Sequence, residues 1–232
     1  MSKEIVKYLY FNLSGVFNSK NPMVDLTDIS GTNCYCDDVA VSEICRRIDA
    51  LPEIPPVRFI DSGNYHYMSL FFMRKITVPF TLLLLDNHPD TKLPVFGNIT
   101  SCGGWVREAS ETIPNMKQVI MAGVDSDLIE EESPLPERAI SVWLSDLPAI
   151  FSRLETPLYI SLDKDIMNPE YARTDWTQGP YTLEDIISIL KTAYSSCDVI
   201  GLDICGEKKE DPTDEDLLIN DQTNQKLLEI CE

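Results

Sequence analysis

A three-layer α/β/α fold on a mainly parallel central sheet is predicted by three observations. Short apolar runs such as FTLLLL at 80–85 and LYISL at 158–162 recur along the chain. Between them lie segments with apolar residues at helical spacing, and such alternation builds a parallel sheet covered on both faces. Several apolar runs end abruptly in polar clusters, and in such sheets ligands bind beyond the carboxyl ends of the strands.

In chain order, EIVKYLYF at 4–11 reads as a first strand, followed by a loop rich in turn residues. DVAVSEICRRIDA at 38–50 has an acidic start and helical periodicity. The proline-rich LPEIPP forces an extended linker into a strand at 57–60, and 67–76 reads as a buried helix. The FTLLLL strand comes next, then a glycine-containing loop and a short helix around 106–111. Strands are expected at 118–122, 140–144, 158–162 and 199–204. Helices are expected at 146–154 and at 182–194, where Thr182 and Asp185 form a capping-box start. The acidic EKKEDPTDED reads as a solvated loop ahead of a helix at 217–230. With 232 residues and no internal repeat, the chain reads as a single domain over 1–232.

Composition excludes several classes. With 38 acidic against 19 basic residues, the formal charge of −19 argues against nucleic acid and against anionic membrane as partners. No apolar run approaches the ~18–20 residues that span a bilayer, and the amino terminus lacks a leader pattern, so a cytoplasmic location is expected. The seven cysteines are odd in number and scattered, unlike a secreted disulfide framework. Cys34 and Cys36 lack the second ligand pair that a zinc knuckle requires.

Three strand ends release polar clusters of one chemical kind. DSGNYHYMS carries His66, DNHPD carries Asp86, His88 and Asp90, and SLDKDIMNP carries Asp163 and Asp165. If the extended backbone continued past Leu85, Asp86, His88 and Asp90 would share one face. Both histidines of the chain fall in these clusters. Singly, each residue is as readily a cap or a turn former. Jointly, two imidazoles and four carboxylates form a hard donor set that suits Mn²⁺, and two ions if carboxylates bridge. A two-metal centre activates water for attack on an electrophilic carbon.

The DNHPD turn resembles the D-x-H-x-D motif of the arginase, agmatinase and formiminoglutamase family of ureohydrolases. SLDKDIMNP resembles that family's S-x-D-x-D-x-x-D-P, and NYHYMS its G-G-D-H-S element. The resemblance runs from about residue 57 to 205, and it identifies a divergent, shortened member with an arginase-like fold. It implies one manganese on His66, Asp86, Asp90 and Asp163 and a second on His88, Asp86, Asp163 and Asp165, with Asp86 and Asp163 bridging. It gives Asp90 a further role as general acid and base.

The departures lie outside this ligand set. Cys102 stands where the family carries a proton-shuttling histidine, and a thiol with an ordinary pKa near 8.5 is a poorer neutral-pH shuttle. Gly206 occupies the place of the guanidinium-gripping glutamate, with Glu207 one residue later. Lys92 and Asn168 replace residues of the substrate ring, where Lys92 would bind a carboxylate as a point charge. The expected activity is a binuclear manganese hydrolase acting on the guanidino or amidino carbon of a small molecule or peptide other than free arginine, with urea or a similar product. Family resemblance also implies a homo-oligomer. The alternatives are a catalytically impaired metal-binding or regulatory protein and a single-zinc amide hydrolase, against which the six-ligand set counts.

Overall fold

The computed structural model describes residues 7–17, 20–94, 97 and 99–231. Residues 4–6 of the expected first strand, and 96 and 98 of the glycine-containing loop, lie outside them. The strands are β1 (Tyr8–Asn12), β2 (Met23–Asp25), β3 (Tyr35–Cys36), β4 (Val57–Ile60), β5 (Phe80–Leu85), β6 (Thr100–Ser101), β7 (Met116–Ala122), β8 (Ala139–Val142), β9 (Leu158–Asp163) and β10 (Val199–Cys205). The helices are α1 (Asp38–Asp49), α2 (Met68–Met73), α3 (Trp105–Thr112), α4 (Ser126–Glu131), α5 (Leu147–Phe151), α6 (Leu183–Ser196) and α7 (Asp214–Leu228).

Eight strands form one sheet in the order β2-β1-β4-β10-β9-β5-β7-β8, and every pairing in it is parallel. β3 and β6 make a separate antiparallel pair. The side chains of β5 explain why the sheet is buried on both sides. Leu82 and Leu84 enter one core with Phe11, Ile44 and Trp105, while Leu83 and Leu85 enter the other with Phe151, Ile160 and Leu190. Fully burying each such side chain contributes about 1.5–3 kcal/mol. A continuous apolar run is therefore required here, where a one-sided strand would alternate. Among the described residues, no helix is long and apolar enough to cross a membrane.

The strands expected at 57–60 and 80–85 lie at those positions. The strand expected at 140–144 stops at Val142, because Leu144–Asp146 turn into a 3-10 helix, and Trp143 is left exposed. The expected acidic loop before the last helix is corrected at its end, since α7 begins at Asp214. Thr213 caps it: Asp216 N donates to Thr213 Oγ1 (3.2 Å) and Thr213 N donates to Asp216 Oδ2 (3.0 Å). The acids of the first turn favour this helix start, so their charge is a helix signal as well as a loop signal. β2, the β3–β6 pair and α4 have no counterpart among the expected elements. Each is short, and strands of two or three residues carry no readable period.

β4, β10, β9 and β5 are neighbours at the centre of the sheet and end at one level, with Leu85 opposite Leu162 and Asp163 opposite Cys205. Their carboxyl ends position the polar clusters.

Candidate metal centre

His66 comes after β4 through a 3-10 turn, Gly63–Tyr65. Asp163 is the last residue of β9, and its Oδ1 accepts from Asp165 N (2.9 Å), which starts the next 3-10 turn and brings Asp165 round beside it. The cluster after β5 departs from the alternating-strand geometry expected of it. His88 N donates to Asp86 Oδ1 (2.7 Å), an Asx turn that ends the strand, and Asp90 has φ of 51°, in the left-handed region. The three side chains meet through a turn, because a straight strand would carry Asp90 away from His66.

All six residues expected to be ligands come together. His66 Nδ1 lies 3.2 Å from Asp86 Oδ2, 3.2 Å from Asp90 Oδ2 and 3.5 Å from Asp163 Oδ2. His88 Nδ1 lies 2.9 Å from Asp165 Oδ2 and 3.5 Å from Asp86 Oδ1. Asp86 therefore presents one oxygen to each imidazole. His66, Asp86 and Asp90 form one group with metal-ligand spacing, and Asp86, His88 and Asp165 form a second. Asp163 lies on the His66 side, together with the Cys205 sulfur. That thiol, 3.3 Å from the Ser62 carbonyl oxygen and 3.5 Å from that of Asp61, donates to main chain, and burial pushes its pKa up.

The far sides of these groups are fixed. His66 Nε2 is 2.8 Å from Ser161 Oγ, which is itself 3.0 Å from Ser69 Oγ. His88 Nε2 is 2.9 Å from Thr177 Oγ1. The Trp105 indole donates to Asp90 Oδ2 (2.6 Å), and Asn87 N donates to Asp165 Oδ1 (3.1 Å). Each imidazole thus turns Nδ1 to the carboxylates and Nε2 to a hydroxyl, the arrangement that orients histidine ligands at metals.

Burial and like charge dominate the electrostatics. Desolvation, and after it the nearby Asp86, raises Asp163 to about 6, and burial with Asp163 and Asp86 raises Asp165 well above the carboxylate range. Burial, then Asp86, also raises Asp90. Asp86 goes the other way: burial opposes its charge, but hydrogen bonds with both imidazoles hold its pKa down. Burial likewise opposes charge on the imidazoles, yet Asp165 and Asp86 push His88 up to about 12, and Asp86 and Asp90 push His66 well up. Four buried carboxylates crowded on two imidazoles are costly without cations, and divalent ions offset that repulsion. Hard oxygens plus imidazole fit such ions.

The pocket over this cluster is also lined by Gly63, Lys92, Cys102, Gly103, Glu132 and Trp176. Lys92 and Cys102 thus line it. Asn168 does not line it: its Oδ1 accepts from Glu170 N (2.9 Å) and serves a turn. Glu207 also stays out, since its Oε1 accepts from Lys164 Nζ (2.5 Å) and Asn224 Nδ2 (2.8 Å) in the core beneath. Sequence reasoning misses Glu132 and Trp176. Glu132 ends an acidic run for which the sequence gives no site signal, and its Oε2 accepts from Thr91 N (2.8 Å) and Thr91 Oγ1 (2.9 Å). The available signal for Trp176 is a tryptophan in an otherwise polar loop, DWTQG.

Gly206 is required where it stands. Its φ is +94°, and a Cβ there would lie 2.3 Å from Asp163 Oδ1 and 2.9 Å from Lys164 N. Gly206→Ala is expected to destabilise the protein by about 1–3 kcal/mol, measured by chemical denaturation. An unchanged midpoint would show that the turn relaxes freely.

No family model matches the chain. An uncharacterized protein of Thermotoga maritima is 29% identical over 160 residues, which are 68% of this chain and 60% of that protein. The match thus spans less than two thirds of that relative's length. Among solved structures, the formimidoylglutamase of Bacillus subtilis aligns with a TM-score of 0.65 at 14% identity, over 97% of this chain and 85% of that one. The agmatine ureohydrolase of Thermoplasma volcanium gives 0.63 at 15% identity, over 97% and 89%. The proclavaminate amidino hydrolase of Streptomyces clavuligerus gives 0.62 at 13% identity, over 84% and 72%. At these identities the likeness is one of fold, and the fold is the arginase-like α/β fold.

Proposed function

We propose, from the ureohydrolase fold that this chain shares, that it is a binuclear manganese hydrolase of a guanidino or amidino carbon. The observation that carries the proposal is the placement of Asp86 between the two imidazoles, one oxygen toward each. His66, Asp86, Asp90 and Asp163 would hold one ion, and His88, Asp86, Asp163 and Asp165 the other. When bound, such a pair supplies Lewis acidity that activates water at neutral pH.

The protein's own groups supply orientation and proton transfer. Trp105 fixes Asp90 through Oδ2, so Asp90 Oδ1 takes the proton from the attacking water and delivers it to the departing nitrogen. Breaking the carbon–nitrogen bond then releases an amine and urea, or an amide from an amidino substrate. Ser161 and Thr177 keep each imidazole in one orientation throughout. Glu132 presents a carboxylate at the pocket, 3.8 Å from Lys92 Nζ. In this reading Glu132 takes the cationic part of the substrate and Lys92 an anionic part. Cys102 replaces the proton-shuttling imidazole only in part, because the Cys34 thiol hydrogen-bonded to it, and then burial, raise its pKa.

Incubation of the manganese-loaded protein with guanidino amines, guanidino acids and arginyl peptides tests the assignment by urea release. Turnover is expected for at least one class, with complete loss on chelation and recovery on adding Mn²⁺. The burial of Glu207 against Lys164 favours a second reading, metal binding without turnover. Two bound ions with neither urea from these compounds nor amide from an amidino acid would select that reading.

A further inference from the structure

The β3–β6 pair brings a second cysteine beside Cys102. Tyr35 lies opposite Ser101 and Cys36 opposite Thr100 in antiparallel register. The ladder ends there, since Cys34 has φ of 61° in a tight turn in which Tyr35 N donates to Asn33 O (2.7 Å), but Cys102 N still donates to Cys34 O (2.8 Å). That main-chain bond holds the two residues side by side at the end of the ladder, the kind of proximity a disulfide needs, with Cα atoms roughly 4.4–6.8 Å apart. Each thiol acts on the other's acidity, lowering the pKa of Cys34 and raising that of Cys102. Both line a cavity of about 220 Å³ beside the metal cluster, with Lys92, Gly103 and Trp176 among its walls. Cys34 is partly exposed there, whereas Cys102 is buried.

We propose that Cys34 and Cys102 form a site of reversible oxidative modification, closing to a disulfide when a peroxide reaches Cys34. Cys34 is the sulfur that meets the oxidant, being the accessible member, and its bond from Cys102 draws its pKa down to about 7. Its thiolate attacks one peroxide oxygen, the O–O bond breaks, and hydroxide leaves. The Cys102 sulfur then displaces the hydroxyl group from the Cys34 sulfenic acid, and the sulfur–sulfur bond forms. The two thiols lose two electrons, the peroxide gains them, and both thiol protons leave in two molecules of water. The bridge ties the β3 segment to the loop that brings Cys102 to the pocket.

Titration of the intact protein with hydrogen peroxide tests this without reference to turnover, so its failure is separate from failure of the hydrolase assignment. Of the seven free thiols, two are expected to disappear, with loss of two hydrogen masses. Peptide mapping without reductant should join the Cys34 peptide to the Cys102 peptide, and a phosphine reductant should separate them. Cys34→Ser should abolish the cross-link and leave Cys102 as a free thiol. Persistence of both thiols, separate oxidation of each, or a bridge from Cys34 to Cys36 instead would overturn the proposal. Because the wild-type mapping alone decides these outcomes, a variant that misfolds does not blunt the test.

Discussion

Asp86→Asn is expected to weaken divalent metal binding by at least about 100-fold, and to remove any turnover with it. Losing a group that merely orients a metal ligand costs about 10- to 100-fold in affinity. Asp86 stands closer than that. Its two oxygens face different imidazoles, at 3.2 Å and 3.5 Å, and its side chain is buried. An amide keeps the shape but offers one acceptor oxygen and no charge, so one half of the cluster loses its oxygen donor and both lose the negative charge between them. Isothermal titration with Mn²⁺ and metal analysis after dialysis read the effect, with circular dichroism confirming that the variant folds. Retention of two ions at unchanged affinity would remove Asp86 from the centre.

Glu207→Ala is expected to lower stability by about 3–5 kcal/mol, the usual cost of leaving one member of a buried ion pair alone. Lys164 is fully buried, and its charge is answered by Glu207 and by Asn224 Oδ1 at 3.1 Å. Without the carboxylate, Lys164 must either carry an unpaired charge in the core or lose its proton. For a chain of this size the melting temperature should fall by roughly 6–20 °C. Replacing the pair together, with Lys164→Met and Glu207→Leu, should recover part of the loss, since an apolar pair has no charge to desolvate. Calorimetry on the single and double variants checks both statements. An unchanged melting temperature accompanied by loss of turnover would instead make Glu207 a substrate-binding group.

The residues of the candidate metal site are legible in the sequence because each follows closely on the end of an unmistakable strand. FTLLLL and LYISLD can hardly be anything but buried strands, and a parallel sheet puts their carboxyl ends on one edge. The turns beyond those strands are harder to read. Whether Asp90 joins His66 depends on the Asx turn at Asp86 and on a left-handed φ, and neither leaves a periodic signal. Glu207 shows the same difficulty in reverse. Its position one residue after Gly206 makes it a substrate candidate, but a partner 43 residues away in sequence, Lys164, claims its carboxylate. Glu132 has the local context of a solvated acid, yet Thr91, 41 residues distant, donates to it.

By itself, then, the sequence determined the sheet, the donor types and the edge on which they gather, because strand burial and chemical identity are local properties. Tertiary structure decided which oxygen faces which imidazole, that Glu207 belongs to the core and Glu132 to the pocket, and that the Cys34 turn is hydrogen-bonded to Cys102. Those outcomes depend on competition among groups far apart in the chain for the same buried charges and hydrogen bonds. Such competition is settled only when the strands are in register.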